Sequence, residues 1–124
     1  MSFDALAGRR TRLTDLVIPQ AGDATNFLDE KEYGGYDALA IYPVTGTYDG
    51  AMSLEVNQDP SADQGNDAQW TAYDPITPGV AVVPVSNRLI VIPAPPTHGF
   101  RIKSASAEDP LVTFRVWGIN YGRS

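Results

Sequence analysis

The feature that most restricts how this chain can fold is an alternation of apolar and polar residues, renewed several times along its length. In "LVTFRVW" (residues 111–117), Val112, Phe114 and Val116 fall on one side and Thr113, Arg115 and Trp117 on the other. "FRIKS" sets Phe100 and Ile102 against Arg101 and Lys103, and "MSLEVN" sets Met52, Leu54 and Val56 against Ser53, Glu55 and Asn57. A period of two marks a half-buried antiparallel strand, because successive side chains point to opposite faces. "YDALAIYPV" and "RLIVIP" are more continuously apolar and read as central strands. "RLTDLVIP" reads as the first strand and "QWTAYDP" as a short one. "VAVVPV" reads as another, with Pro84 marking an edge or a bulge.

No stretch sustains a 3.6-residue period. The best helical segments, "FDALAG" near the start and "NFLDEKEY" (residues 26–33), allow one or two turns, the second capped by Thr25 or Asn26. Between the apolar runs lie turn signals such as "PQAGD", "TGTYDG", "DPITPG" and "VSNR". Eleven Gly and ten Pro supply the tight connections that many short strands require. Seven or eight strands with turns every 8–12 residues or so indicate an all-β fold. We expect a single antiparallel β-sandwich of jelly-roll type over residues 13–124, preceded by an extended N-terminal arm, residues 1–12. "PAPPTHG" (residues 93–99) reads as a stiff extended connection, since Pro fixes its own φ and restrains the residue before it.

With 124 residues the chain is long enough for one core without covalent staples, and it has no cysteine. That removes disulfides, thiolate nucleophiles and sulfur-ligated zinc together. No apolar run approaches the ~20 residues of a membrane-spanning helix. In "MSFDALAGRRTRL" the arginines follow the apolar residues, the reverse of a secretory signal, so none is expected.

The net charge of −6 is unevenly placed. Residues 13–78 hold twelve acids against Lys31 alone, while Arg9, Arg10 and Arg12 precede them and five basic residues follow. An acidic total argues against nucleic acid as the main partner. Charge segregated in blocks suits docking on charged protein surfaces, unless folding interleaves the blocks and cancels the asymmetry.

Catalytic and metal-binding patterns are weak. Asp59, Asp63 and Asp67 share one polar run, "DPSADQGND". Pro60 follows the first, and Gly65 does not stand where a calcium loop needs it. The run reads as a solvated connection, with a looser calcium site as the alternative. His98 is the only histidine and sits between Thr97 and Gly99, where a structural or surface role is expected. Hydrolase, zinc-protease, phosphate-loop and dinucleotide motifs are missing from the sequence. The adjacent pairs Asp29–Glu30 and Glu108–Asp109 would point apart on extended chain and make no acid–base dyad. No enzyme activity, metal or cofactor is therefore expected.

The outward strand phases are more informative. Arg101, Lys103 and Arg115 alternate with core positions, and Trp117 shares that phase. A Trp among arginines is a plausible protein-interface anchor, and the alternative is that Trp117 packs under a loop or the arm. With Arg9, Arg10 and Arg12 of the arm, these are the candidate interface residues. The tyrosines near loops and strand ends suit an interface, a sugar platform or rim packing.

The order of segments resembles that of small bacteriophage head decoration (cement) proteins with a jelly-roll β-sandwich. It is carried by "LEVNQDPSADQGNDAQWTAYDPITPGVAVVPV", "RLIVIPAPPTHGFRIKSAS" and "VTFRVWGI", within residues 52–119. The resemblance is one of style rather than of a diagnostic motif, and no fixed functional residues carry over. It implies a non-enzymatic virion protein made in the host cytoplasm. Such a protein binds the capsid exterior, bridges subunits of the major capsid protein and often forms a dimer or trimer, with no membrane or nucleic-acid partner. The rival readings are a carbohydrate- or receptor-binding module using Trp70 or Trp117, a head–tail joining or tail protein, and a small β-fold hydrolase using His98 or a carboxylate.

Overall fold

The computed structural model describes residues 10–44, 47–57 and 67–121, with Asp67 described by its backbone alone. Among the described residues, nine strands form two antiparallel sheets. The first holds β1 (Arg10–Arg12), β2 (Leu16–Ile18), β4 (Ala38–Pro43), β7 (Ile90–Pro93) and β9 (Val112–Ile119). The second holds β3 (Leu28–Asp29), β5 (Met52–Asn57), β6 (Thr71–Ala72) and β8 (Gly99–Ser104). Two short helical pieces complete it, α1 (Glu30–Tyr33) and one 3₁₀ turn, Asp67–Gln69.

β1 and β2 both pair with the same edge of β9 and act as one interrupted strand. Arg12 lies opposite Trp117 and Leu16 opposite Phe114, so three residues face two. That extra residue is a β-bulge, and Leu13 N–H still reaches Val116 O at 2.9 Å. Counting β1 and β2 as one strand, the pairs are first with last, β3 with β8, β4 with β7 and β5 with β6. This is a long hairpin nested on itself and rolled into two sheets, the strand order of a double Greek-key jelly roll.

The core is the layer between the sheets. Leu16, Ile18, Leu39, Ile41, Phe114 and Val116 come from one sheet, and Met52, Leu54, Phe100 and Ile102 from the other, all at 2% exposure or less. The strict alternation of β9, buried at Val112, Phe114, Val116 and Gly118, is what the sequence rhythm requires of a central strand with one wet face.

Several expectations are corrected. Residues 10–12, placed in the arm, are strand. The first strand read in "RLTDLVIP" narrows to Leu16–Ile18. "VAVVPV" forms no strand: Val82 packs toward the core and Pro84 is buried, but no neighbouring strand offers a ladder. Alternation there comes from chain lying against an apolar surface, which needs no sheet. α1 starts later than read, with Asp29 as its cap, its Oδ1 accepting the Glu32 N–H. Thr25 and Asn26 cap nothing. Thr25 Oγ1 accepts the Ile102 N–H, and Asn26 bridges Val17 N–H and Asp15 O.

Candidate protein-docking face

The two sheets differ in what covers their outer sides. On the second sheet, Arg101 points away from the core, as its phase demands, yet its side chain is fully buried. Trp70, leaving the 3₁₀ turn, folds over it with the guanidinium carbon 4.5 Å from the ring centroid. Glu55, opposite Arg101 in register, takes its Nε at 2.8 Å and its second guanidinium nitrogen at 2.7 Å. Gly99 leaves room for this cover, since a Cβ there would stand 3.2 Å from the Trp70 ring. Arg101 is therefore not an exposed interface residue. Lys103 belongs to the same sheet and is tied to Asp23 at 2.7 Å.

The outer side of the first sheet is different. Its five strands contain Arg10, Arg12 and Arg115 and no Asp or Glu. Register places these residues in rows. Arg12, Trp117, Ala40 and Val91 lie across the sheet in one row, and Arg115 is opposite Tyr42 in the next. Arg10 reaches back over Trp117, its guanidinium carbon 4.9 Å from the ring centroid. At a partly wet site such a contact is worth ~0.5–1 kcal/mol. Arg12 pairs with Asp15 at the margin, at 3.1 Å and largely exposed, an ion pair of small energy that a partner carboxylate can displace. Arg115 Nε is buried without a hydrogen-bond partner among the described residues. Ala38 and Ala40 are buried, while Tyr42 and Val91 stand exposed at 45% and 42%.

Of the seven candidate interface residues, Arg10, Arg12, Arg115 and Trp117 thus share one face. Arg101 and Lys103 lie on the other sheet, and Arg9 lies outside the described residues. Trp117 is half-buried, with Arg10 packed over its ring. Val91 was not singled out, and Tyr42 was read only as one of the tyrosines (with Tyr33, Tyr36, Tyr48 and Tyr73) suited to an interface, a sugar platform or rim packing. The outward phase of Ala38, Ala40 and Tyr42 in "YDALAIYPV", and of Val91 in "RLIVIP", was hidden by reading both runs as continuously apolar central strands.

The other polar features are structural in their contacts. His98 Nδ1 meets Glu30 Oε1 at 3.1 Å on the surface. Glu108 is the most enclosed carboxylate. Its oxygens accept the Asp49 and Gly50 N–H groups at 2.8 Å each and the Ser104 hydroxyl at 2.7 Å. Burial opposes its charge, but these donors outweigh burial and hold its carboxyl below the ordinary range. Burial pushes the Tyr48 phenol up to about 12, with Ser86 opposing and Glu108 adding. Asp59 and Asp63 lie outside the described residues, and among those described no group of three or more His, Asp or Glu is placed to hold a metal ion. No helix is long and apolar enough to cross a membrane among the described residues.

Compared with protein-family models, curated proteins and solved structures, the chain matches none.

Proposed function

We propose that this chain is a non-enzymatic virion structural protein, a capsid decoration protein that binds the outside of a phage shell and bridges neighbouring subunits of its major capsid protein. The observation that carries this reading is the outer face of the first sheet. An acidic chain keeps three arginines and no carboxylate on those strands, and sets an aromatic anchor among them. Such a face suits an acidic protein surface: arginines steer and register the encounter, and Trp117 and Tyr42 supply buried area. Weak sites suffice when many copies act on one lattice. A glycan-binding module is the second reading, and the burial of Trp70 leaves it one tryptophan fewer for stacking on sugars.

The test has two parts. Quantitative mass spectrometry of purified particles should find this chain at a copy number comparable to the major shell subunit. Co-sedimentation with shells lacking the chain should then show Trp117→Ala weakening binding by about tenfold or more, the effect of losing an interface anchor. A handful of copies per particle would indicate a joining or tail protein instead. Absence from particles would overturn the virion reading and give first place to glycan binding.

A further inference from the structure

The first sheet runs β1, β9, β4, β7, with β2 continuing β1 along β9, so its free edges are β7 and the line of β1 and β2. A free edge offers backbone N–H and C=O groups to any extended chain, and proteins usually close it. On β7, Ala94 N–H donates to Asp37 O, so by alternation the amide of residue 93 would face outward. That residue is Pro93, which has no N–H. Beside β2, a side chain takes the outward groups. Asn26 Oδ1 accepts the Val17 N–H at 2.8 Å, and Asn26 Nδ2 donates to Asp15 O at 3.1 Å. The second sheet ends in β3 and β6, which are two residues each.

On β1 the outward groups stay open. Leu13 N–H donates to Val116 O, and on the far side of β9 Asp37 N–H donates to Ile119 O. Alternation then turns the backbone groups of Thr11 toward Gly118 on β9 and those of Arg10 and Arg12 toward the free edge. Among the described residues none bonds to these outward groups. The two side chains lie on the outer face, in the rows of Ile119 and Trp117, so each open amide comes with a guanidinium beside it.

We infer that β1 is a strand-addition site for an extended acidic segment of a partner protein, with carboxylates at alternate positions. Charge selects the occupant. In an added strand, the residues opposite Arg10 and Arg12 are two positions apart and share their face of the sheet, with Cβ atoms about 5 Å away. Carboxylates there meet the guanidiniums, while the backbone of the same residues takes the open N–H and C=O groups. A second copy of this chain does not fit. Two β1 edges paired with each other would set arginine against arginine, and like charges directly opposite repel. The three residues of β1 keep each contact weak, which suits a site that acts in many copies. As a contact to a capsid subunit, this deepens the function proposed above and rests on it; the strand pairing itself is tested without a capsid.

Backbone amide exchange of the full chain, read by NMR, tests the pairing with an end-blocked peptide alternating glutamate and valine, added up to millimolar concentration at low salt. At saturation, exchange at Arg10 and Arg12 should slow at least tenfold, with Thr11 little changed because its amide already faces β9. The same peptide with its glutamate amides N-methylated keeps every charge and should bind at least tenfold more weakly. Arg12→Gln, which keeps the backbone amide, should weaken the parent peptide severalfold. Failure of the parent peptide to bind would overturn the inference. So would equal binding of the N-methylated peptide, or a bound peptide that leaves the Arg10 and Arg12 amides exchanging freely, since either means contact through side chains alone. An equal response to a peptide alternating lysine and valine would overturn the acidic occupant. Shells that dock the chain while those two amides stay unprotected would spare the proposed function and sink this mode of binding. Protection by the peptide without docking on shells would do the reverse.

Discussion

Glu108 stays charged in a place almost without water because protein donors replace the water. Two backbone amides and one hydroxyl converge on it from two other segments of chain. Its own backbone joins a third, with Glu108 N–H on Gly22 O and Ala21 N–H on Glu108 O. One residue thus ties residues 21–22, residues 49–50 and the end of β8 together. Gly50 must be glycine for this to close, since a Cβ there would stand 2.5 Å from Ser104 Oγ. Removing the carboxylate strands buried donors, each costing ~1–3 kcal/mol, so Glu108→Ala should cost about 3 kcal/mol in urea unfolding. The pH dependence has a fixed sign. A folded pKa below the unfolded one gives stability that is present above the unfolded value and lost as pH falls through the folded one. The parent should therefore weaken through the acid range, and Glu108→Gln should be less stable at neutral pH yet lose less on acidification. An equal acid slope in both would show that other carboxylates set it. The Arg101–Glu55 pair illustrates the related cost of burying charge: it holds because Trp70 and Glu55 together replace water around the guanidinium.

At the scale of elements, β1 is the strand the fold needs least and the proposed docking face needs most. All three of its residues are exposed, so it contributes little to the core. Its hydrogen bonds to β9 and the cover Arg10 gives Trp117 are worth together ~1–2 kcal/mol. A chain lacking residues 1–12 should keep its cooperative melt and β-sheet spectrum. Its tryptophan emission should shift to longer wavelength as Trp117 is uncovered, and its binding to shells should weaken severalfold. A chain lacking only residues 1–9 retains β1 and should keep the parent emission. If the longer truncation unfolds the protein, β1 belongs to the core. β7 shows the opposite economy: Pro93 gives up an outward amide that the sheet does not use and thereby guards the edge.

For the whole molecule, the salt response belongs to the outer face of the first sheet. From about 0.1 M to about 1 M salt the screening length falls from ~10 Å to ~3 Å. Docking through Arg10, Arg12 and Arg115 on an acidic surface should weaken severalfold over that range, and Arg115→Glu should remove most of the salt dependence. Co-sedimentation with shells reads this dependence. Docking that ignores salt would remove the arginines from the interface. Charge segregation visible in the chain survives folding on the first sheet. It is cancelled on the second, where Arg101 meets Glu55 and Lys103 meets Asp23.

The sequence alone determined that the chain would be strands, where most of them lie and which of their residues face the core. Alternation is a local property, and a strand has no other way to bury half its side chains. It could not determine what covers the other half. Arg101 and Arg115 occupy the same phase on similar strands, and nothing near either in the chain separates them. Trp70, 31 positions before Arg101, encloses one, while the outer side of the first sheet leaves the other beside Tyr42 on the docking face. The reading of "VAVVPV" failed for the same reason, since a ladder needs a neighbour that the segment does not carry. Which faces meet water is settled by segments distant in sequence, and only the tertiary structure brings those together.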